Sequence, residues 1–184
     1  MKRKILFALF SCAFLFSGEA MSAGWKSLLK KRLPEYGHRN WIVIADSAYP
    51  RQSAPGIETV YTGAGQLEVV QAVLAAVEAA KHVRPVILLD AELQAVPDEN
   101  APGVSRYRDD LKRLLGKRPV KSLPHENIIH RLDEASKLVN VLILKTDLAI
   151  PYTSVFIELD CGYWSAGQEK ALREVLKAGS PPNR

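Results

Sequence analysis

The sequence predicts a single α/β domain, a layered sandwich whose mostly parallel central sheet is flanked by helices. Short apolar runs and longer amphipathic stretches alternate along the chain, as they do where helical crossovers join parallel strands. The apolar runs at Trp41–Ala45 and 139–145 are nearly continuous, the mark of strands covered on both faces. A chain of 184 residues, 47% of them apolar, suits one domain with its own core.

The N-terminus stands apart from that domain. Lys2, Arg3 and Lys4 precede an apolar run from Ile5 to Phe16, and small residues follow at Gly18, Ala20, Ser22 and Ala23. That order is the one of a secretory signal peptide, expected over residues 1–23 and removed near Ala20 or Ala23. The competing reading, a membrane anchor, meets an apolar run shorter than the roughly 20 residues that span a bilayer. Cleavage takes the balance of 25 basic and 20 acidic residues to 22 against 19. So mild a surface charge does not predict nucleic-acid binding, which needs a concentrated cationic face. Cleavage also removes Cys12 and leaves Cys161 alone, without an internal disulfide. The expectation is a periplasmic or secreted domain over 24–184 with no stable membrane insertion.

Along that domain, Trp25, Leu28, Leu29 and Leu33 recur at helical spacing against Lys26, Lys30, Lys31 and Arg32. Pro34 ends this helix near Arg32, and Gly37 permits a sharp turn into His38. Trp41–Ala45 is the first strand, followed by a proline-containing loop over 47–56 and a second strand over 57–62. Gly63 and Gly65 punctuate the entry to a long helix carrying Leu67, Val70, Leu74 and Val77. The Gly-Ala-Gly there lacks the third glycine of a dinucleotide fingerprint and the Lys-Ser/Thr of a phosphate loop. A third strand spans 85–89. After a polar loop over 91–103, Tyr107, Leu111, Leu114 and Leu115 mark a helix closed by Gly116. A short strand at Val120–Leu123 precedes Pro124, which suits the first turn of a helix running through Ile128, Ile129, Leu132 and Ala135. Strands over 139–145 and 153–159 are expected to be neighbours, and a short helix over 168–178 closes the chain.

Polar residues stand at the edges of these segments. His38 precedes the first strand and Asp46 ends it; His125 opens a helix, and Tyr152 sits before the last strand. Each also has a plain structural reading: Asp46 caps a turn through its own side chain, and Tyr152 packs as an aromatic. Asp90 and Asp147 also end apolar strands, and the residues alone do not rank them below Asp46.

The order of these groups decides more. Gly37-His38, then Ile42-Val43-Ile44-Ala45-Asp46 and Pro50, resembles the N-terminal motif of the D-ribose pyranase and L-fucose mutarotase family. Gln66-Leu67-Glu68-Val69-Val70 resembles the entry of that family's second helix, and His125-Glu126 a His-Glu of its ribose branch. Pro151-Tyr152-Thr153-Ser154 resembles the Tyr-x-Asn motif leading into its last strand.

The resemblance implies an enzyme that equilibrates ring forms or anomers of a free monosaccharide such as fucose or ribose. His38 then matches the catalytic histidine, and Asp46, His125, Tyr152 and Ser154 fall at substrate-binding positions. It also implies no metal, no organic cofactor and a homo-oligomer with sites at or near subunit contacts. The residue types suit the chemistry, because opening a cyclic hemiacetal needs one group to take a proton and another to give one, and histidine does both near neutral pH. Three departures stand out: Ser154 replaces the motif's Asn, the residues before Tyr152 differ, and the chain adds an N-terminal leader and a C-terminal tail. A non-catalytic periplasmic sugar-binding or transport-accessory protein is the alternative. A metal site built from His38, Asp46 and His125 has suitable donors but no pre-arranging spacing.

Overall fold

A computed structural model describes residues 16–179. The strands are β1 (Trp41–Ala45), β2 (Ile57–Tyr61), β3 (Val83–Asp90), β4 (Val120–Leu123), β5 (Val141–Lys145) and β6 (Val155–Cys161). The helices are α1 (Phe16–Arg32), α2 (Gln66–Ala79), α3 (Val104–Leu115), α4 (His125–Ser136) and α5 (Ala166–Lys177). All six strands join one sheet in the order β2-β5-β1-β6-β3-β4. β1 pairs parallel with β5, β5 with β2, and β3 with β4, while β6 runs antiparallel to both β1 and β3. Five strands therefore point one way and β6 alone runs against them.

The apolar runs explain the layering. Every residue of β1 is buried, so the strand needs cover on both faces and takes a central place. Ile42 and Ile44 face one core with Leu142, Leu144, Val155 and Ile157, covered by Trp25, Leu29, Val70 and Leu74 of α1 and α2 and Leu111 of α3. Trp41, Val43 and Ala45 face the other, with Ile143 and Phe156, covered by Ile128 and Leu132 of α4. Alternation along one strand thus feeds both layers. The edge strands β2 and β4 are more exposed, as their mixed sequences require.

Two expectations need correction. Strands β5 and β6 are not neighbours, because β1 lies between them. A strand with both edges free to bond and both faces apolar is stabilised most in the middle, and the segment over 146–154 is long enough to cross β1. The sharp turn before β1 also places its left-handed residue at Arg39 (φ 78°) rather than at Gly37; Asn40 closes it by accepting from the Gly37 N–H at 2.9 Å.

The basic and apolar start of the expected signal peptide lies outside the described residues. From Phe16 the backbone is helical through Arg32, spanning the expected cleavage positions Ala20 and Ala23. Trp25, Leu29 and Leu33 are core residues, so the helix from Gly24 onward belongs to the domain. No helix among the described residues is long and apolar enough to cross a membrane. At the other end α5 is closed by a capping box between Ser165 and Gln168, and none of its residues is buried.

Candidate active site

The sheet's polarity builds one edge rich in polar groups. Val155, the first residue of β6, pairs with Ile44 of β1 on one side and Leu89 of β3 on the other. One position further out, Ser154 lies between the end of β1, where Asp46 follows, and Asp90, the last residue of β3. The C-terminal ends of β4 and β5 reach the same edge, bringing His125 and Tyr152 to it.

Asp46 is held twice. Its Oδ1 accepts from the Ala48 N–H at 2.9 Å, an Asx turn that stops the strand. Its Oδ2 accepts from the Ser154 hydroxyl at 2.8 Å, and its own N–H donates back to Ser154 Oγ at 3.2 Å. Ser154 is buried and spends its hydroxyl on the carboxylate.

Asp90 has no such support. Its side chain is fully buried, and Oδ1 stands 3.1 Å from His125 Nδ1. That contact is too poorly aligned to count as a hydrogen bond, and neither Asp90 oxygen nor His125 Nδ1 has another partner among the described residues. Burial pushes the Asp90 carboxyl up to about 6, with His125 opposing the rise and the charges of Glu92 and Asp46 adding to it. A buried carboxylate normally collects several donors; Asp90 has only the His125 ring beside it.

His125 is the first residue of α4, and its backbone N–H donates to both oxygens of Glu92 at 3.0 Å. Glu92 so satisfies one of the helix's free N–H groups and complements the positive end of its dipole. The bond from His125 holds the Glu92 carboxyl below the usual carboxylate range. The His125 ring meets Tyr152 edge-to-face at 5.6 Å between centroids. Tyr152, 39% exposed, adopts φ 58°, a left-handed conformation that costs a side-chain-bearing residue about 1–2 kcal/mol. Strain of this kind collects at functional sites.

Buried groups behind the edge fix these positions. The Gln66 amide donates to the carbonyls of Ile44 (3.1 Å) and Thr153 (2.8 Å), and its Oε1 faces the Thr146 hydroxyl at 2.5 Å. Tyr107 donates to the same Thr153 carbonyl at 2.7 Å. The ends of β1, β5 and β6 are thereby tied to one helix. In sequence Gln66 shows as a polar residue after Gly65 that opens the stretch resembling the family's second-helix entry; that it is buried is seen only in the structure. Tyr49, buried edge-on against Phe156 at 6.4 Å, lies under the edge. Its hydroxyl is pushed well up by burial and by the charges of Asp133, Asp90 and Asp46.

Of the residues singled out in sequence, Asp46, His125, Tyr152 and Ser154 share this edge. His38 does not. It is exposed at the start of β1, near Asp160, whose carboxylate bonds Arg84 Nε at 3.0 Å. A five-residue strand separates the two ends by about 16 Å. No grouping of three metal-ligating side chains occurs among the described residues. An apolar cavity of about 570 Å³ between α1 and α2, lined by Leu29, Leu33, Ala72 and Ala76 among others, shares no residue with the edge.

The geometry can be set beside known proteins. RbsD from Bacillus subtilis, solved with D-ribose, is 21% identical over 73% of this chain and 92% of that one, with a TM-score of 0.51; that likeness shows the fold. FucU from Bifidobacterium longum is 21% identical over 73% and 92% of the two chains (TM-score 0.49). The fucose mutarotase of Streptococcus pneumoniae, solved with L-fucose, is 19% identical over 73% and 91% (TM-score 0.47). No curated protein sequence matches the chain. Residues 25–159 match the model of the RbsD / FucU transport protein family, and the chain belongs to that family.

Proposed function

We propose that the protein is a mutarotase or pyranase that opens and recloses the ring of a free monosaccharide such as ribose or fucose. The observation that carries this reading is the gathering of Asp46, His125, Tyr152 and Ser154 at one sheet edge beside an open carboxyl. Membership of the family supports it, as does the D-ribose held by the Bacillus subtilis relative. In the proposed reaction a base takes the proton of the anomeric hydroxyl, the C1–O5 bond breaks as the carbonyl forms, and an acid protonates the ring oxygen. Reclosure on the other carbonyl face changes the anomer; reclosure through another hydroxyl changes ring size. Tyr152 offers a ring face to the sugar's apolar side and a hydroxyl to its oxygens, while Asp46 accepts from sugar hydroxyls.

In this reading His38 is a catalytic group that reaches the edge of a neighbouring copy in a homo-oligomer. Its exposure and its distance from Asp46 within one chain support a composite site. The same proposal has the protein exported after loss of residues 1–23 and working without metal or organic cofactor.

One observation favours a second reading, a non-catalytic sugar-binding protein: Ser154 is occupied by Asp46 and offers the sugar less than an amide would. Saturation-transfer NMR on ribose and fucose separates the two. The enzyme reading expects anomer or ring-form exchange faster than in buffer. Saccharide binding with exchange at its buffer rate for every common monosaccharide would replace it with the second.

A further inference from the structure

We infer that Asp90 is a positioning residue for His125: its carboxylate, 3.1 Å from Nδ1, accepts the Nδ1–H once the ring turns into line and so holds the imidazole with Nε2 as a proton-exchanging atom toward the sugar. This rests on the proposed reaction at the same edge and adds a residue that none of the family motifs quoted above contains.

The geometry carries it. Asp90 ends β3 with a fully buried carboxyl, and its two oxygens have no hydrogen-bond partner among the described residues. Asp46, the carboxylate that ends β1, is by contrast capped by the Ala48 N–H and bonded by Ser154. The group that faces Asp90 instead is a titratable ring, 3.1 Å away. His125 Nδ1 is itself buried, whereas the side chain as a whole is 31% exposed. The exposed part is therefore the side away from Asp90, which carries Nε2. Two further contacts set the ring: its backbone is fixed by Glu92, and its edge or face by Tyr152. Imidazole with one nitrogen bound to a carboxylate is locked in one tautomer, and its other nitrogen becomes the reactive one.

Proton balance is straightforward. Nε2 of neutral His125 takes the anomeric hydroxyl proton while C1–O5 breaks, and the ring oxygen takes a proton from the second acid–base group of the site. Asp90 stabilises the imidazolium that results, and reclosure returns both protons. The charged or titratable groups facing Asp90 are His125 from α4, Glu92 from the turn after β3, Asp46 from the end of β1 and Tyr49 from the following loop.

Asp90→Asn, which keeps shape and volume, is the decisive variant. Nitrogen-15 NMR of the full chain without sugar should show neutral wild-type His125 predominantly as the Nδ1–H tautomer. In Asp90→Asn that bias is lost, because the amide no longer offers Nδ1–H a charged acceptor. Sugar exchange in the variant should fall at least about tenfold, mostly in kcat rather than KM. Unchanged His125 nitrogen shifts overturn the inference. If Asp90→Asn does not fold, carbon-13 titration of the Asp90 carboxyl in His125→Gln replaces it, and an unaltered midpoint there refutes the pairing. Should wild-type protein accelerate no sugar's exchange, the proposed reaction fails while the nitrogen-15 NMR still decides whether Asp90 governs His125.

Discussion

The two ends of β1 are built from similar residue types in opposite ways. At the C-terminal end Ser154 and Asp90 are buried and Asp46 and His125 half-buried; Ser154 bonds Asp46, Asp90 faces His125, and Gln66 ties the strand ends behind them. At the N-terminal end His38 stands in solvent, beside the partly exposed Arg84–Asp160 pair. A buried polar cluster is costly unless paired, so its persistence implies a use. An exposed histidine costs nothing, and its use depends on what another molecule brings to it. On the proposed reading, the difference is that one chain holds most of a site at one end of β1 and a contributor to a neighbouring copy's site at the other.

The strongest test of that contrast is His38→Ala. Loss of an acid–base group should reduce sugar exchange by on the order of 100- to 10,000-fold, with no change in melting temperature because the side chain packs against no core. Asp46→Ala should be inactive as well, and mixing the two variants under subunit exchange should recover exchange activity that neither has alone. Recovery supports a site shared between copies; its failure confines the chemistry to the edge where Asp46 lies.

Asp90 gives the next effect, on stability. The folded carboxyl titrates at about 6 against an ordinary value of 3.8, so the folded protein binds more protons than the unfolded chain between those values. Stability therefore falls as pH rises from about 4 to about 6 and is flat above, by about 2–3 kcal/mol. Asp90→Asn removes this dependence. It should melt several degrees above the wild type at pH 7.5 and close to it at pH 4, as scanning calorimetry would show. Equal melting curves at both values would mean that burial does not raise the Asp90 carboxyl in the folded protein.

Ser154→Ala takes away the hydroxyl that Asp46 uses. A lost hydrogen bond to a charged group should cost about 1.5–3 kcal/mol in denaturant unfolding. Ser154→Asn tests whether the amide of the family motif improves sugar binding; a lower KM is expected. A small net stability effect is expected for Tyr152→Gly. Relief of the left-handed backbone, about 1 kcal/mol, and loss of the aromatic contact with His125, about 0.5–1.5 kcal/mol, nearly cancel. Stability within about 1 kcal/mol of wild type but weaker sugar binding would place Tyr152 in the site; a larger loss of stability would make it a packing residue.

Much of this was legible in the chain. Trp41–Ala45 is a strand in sequence and in structure because five apolar residues bounded by Asn40 and Asp46 have no other stable place. Pro124 before His125 set the start of α4, and with it the position of His125 at a strand end. Asp46 caps a turn, as its residue type alone suggested. Gln66 was not legible as a site support, because a polar residue after a glycine reads as a helix start. Nor was Asp90, because three aspartates end apolar strands and pattern cannot say which of them lacks partners.

By itself the sequence determined the α/β class, the strands and helices, and the family motifs, since these follow from local periodicity and residue spacing. Only the tertiary structure decided that β1 separates β5 from β6, that Asp90 faces His125, and that His38 lies a strand's length from the residues it was grouped with. Those relations depend on sheet order and on which buried groups are left unpaired, and both are settled when distant segments pack together.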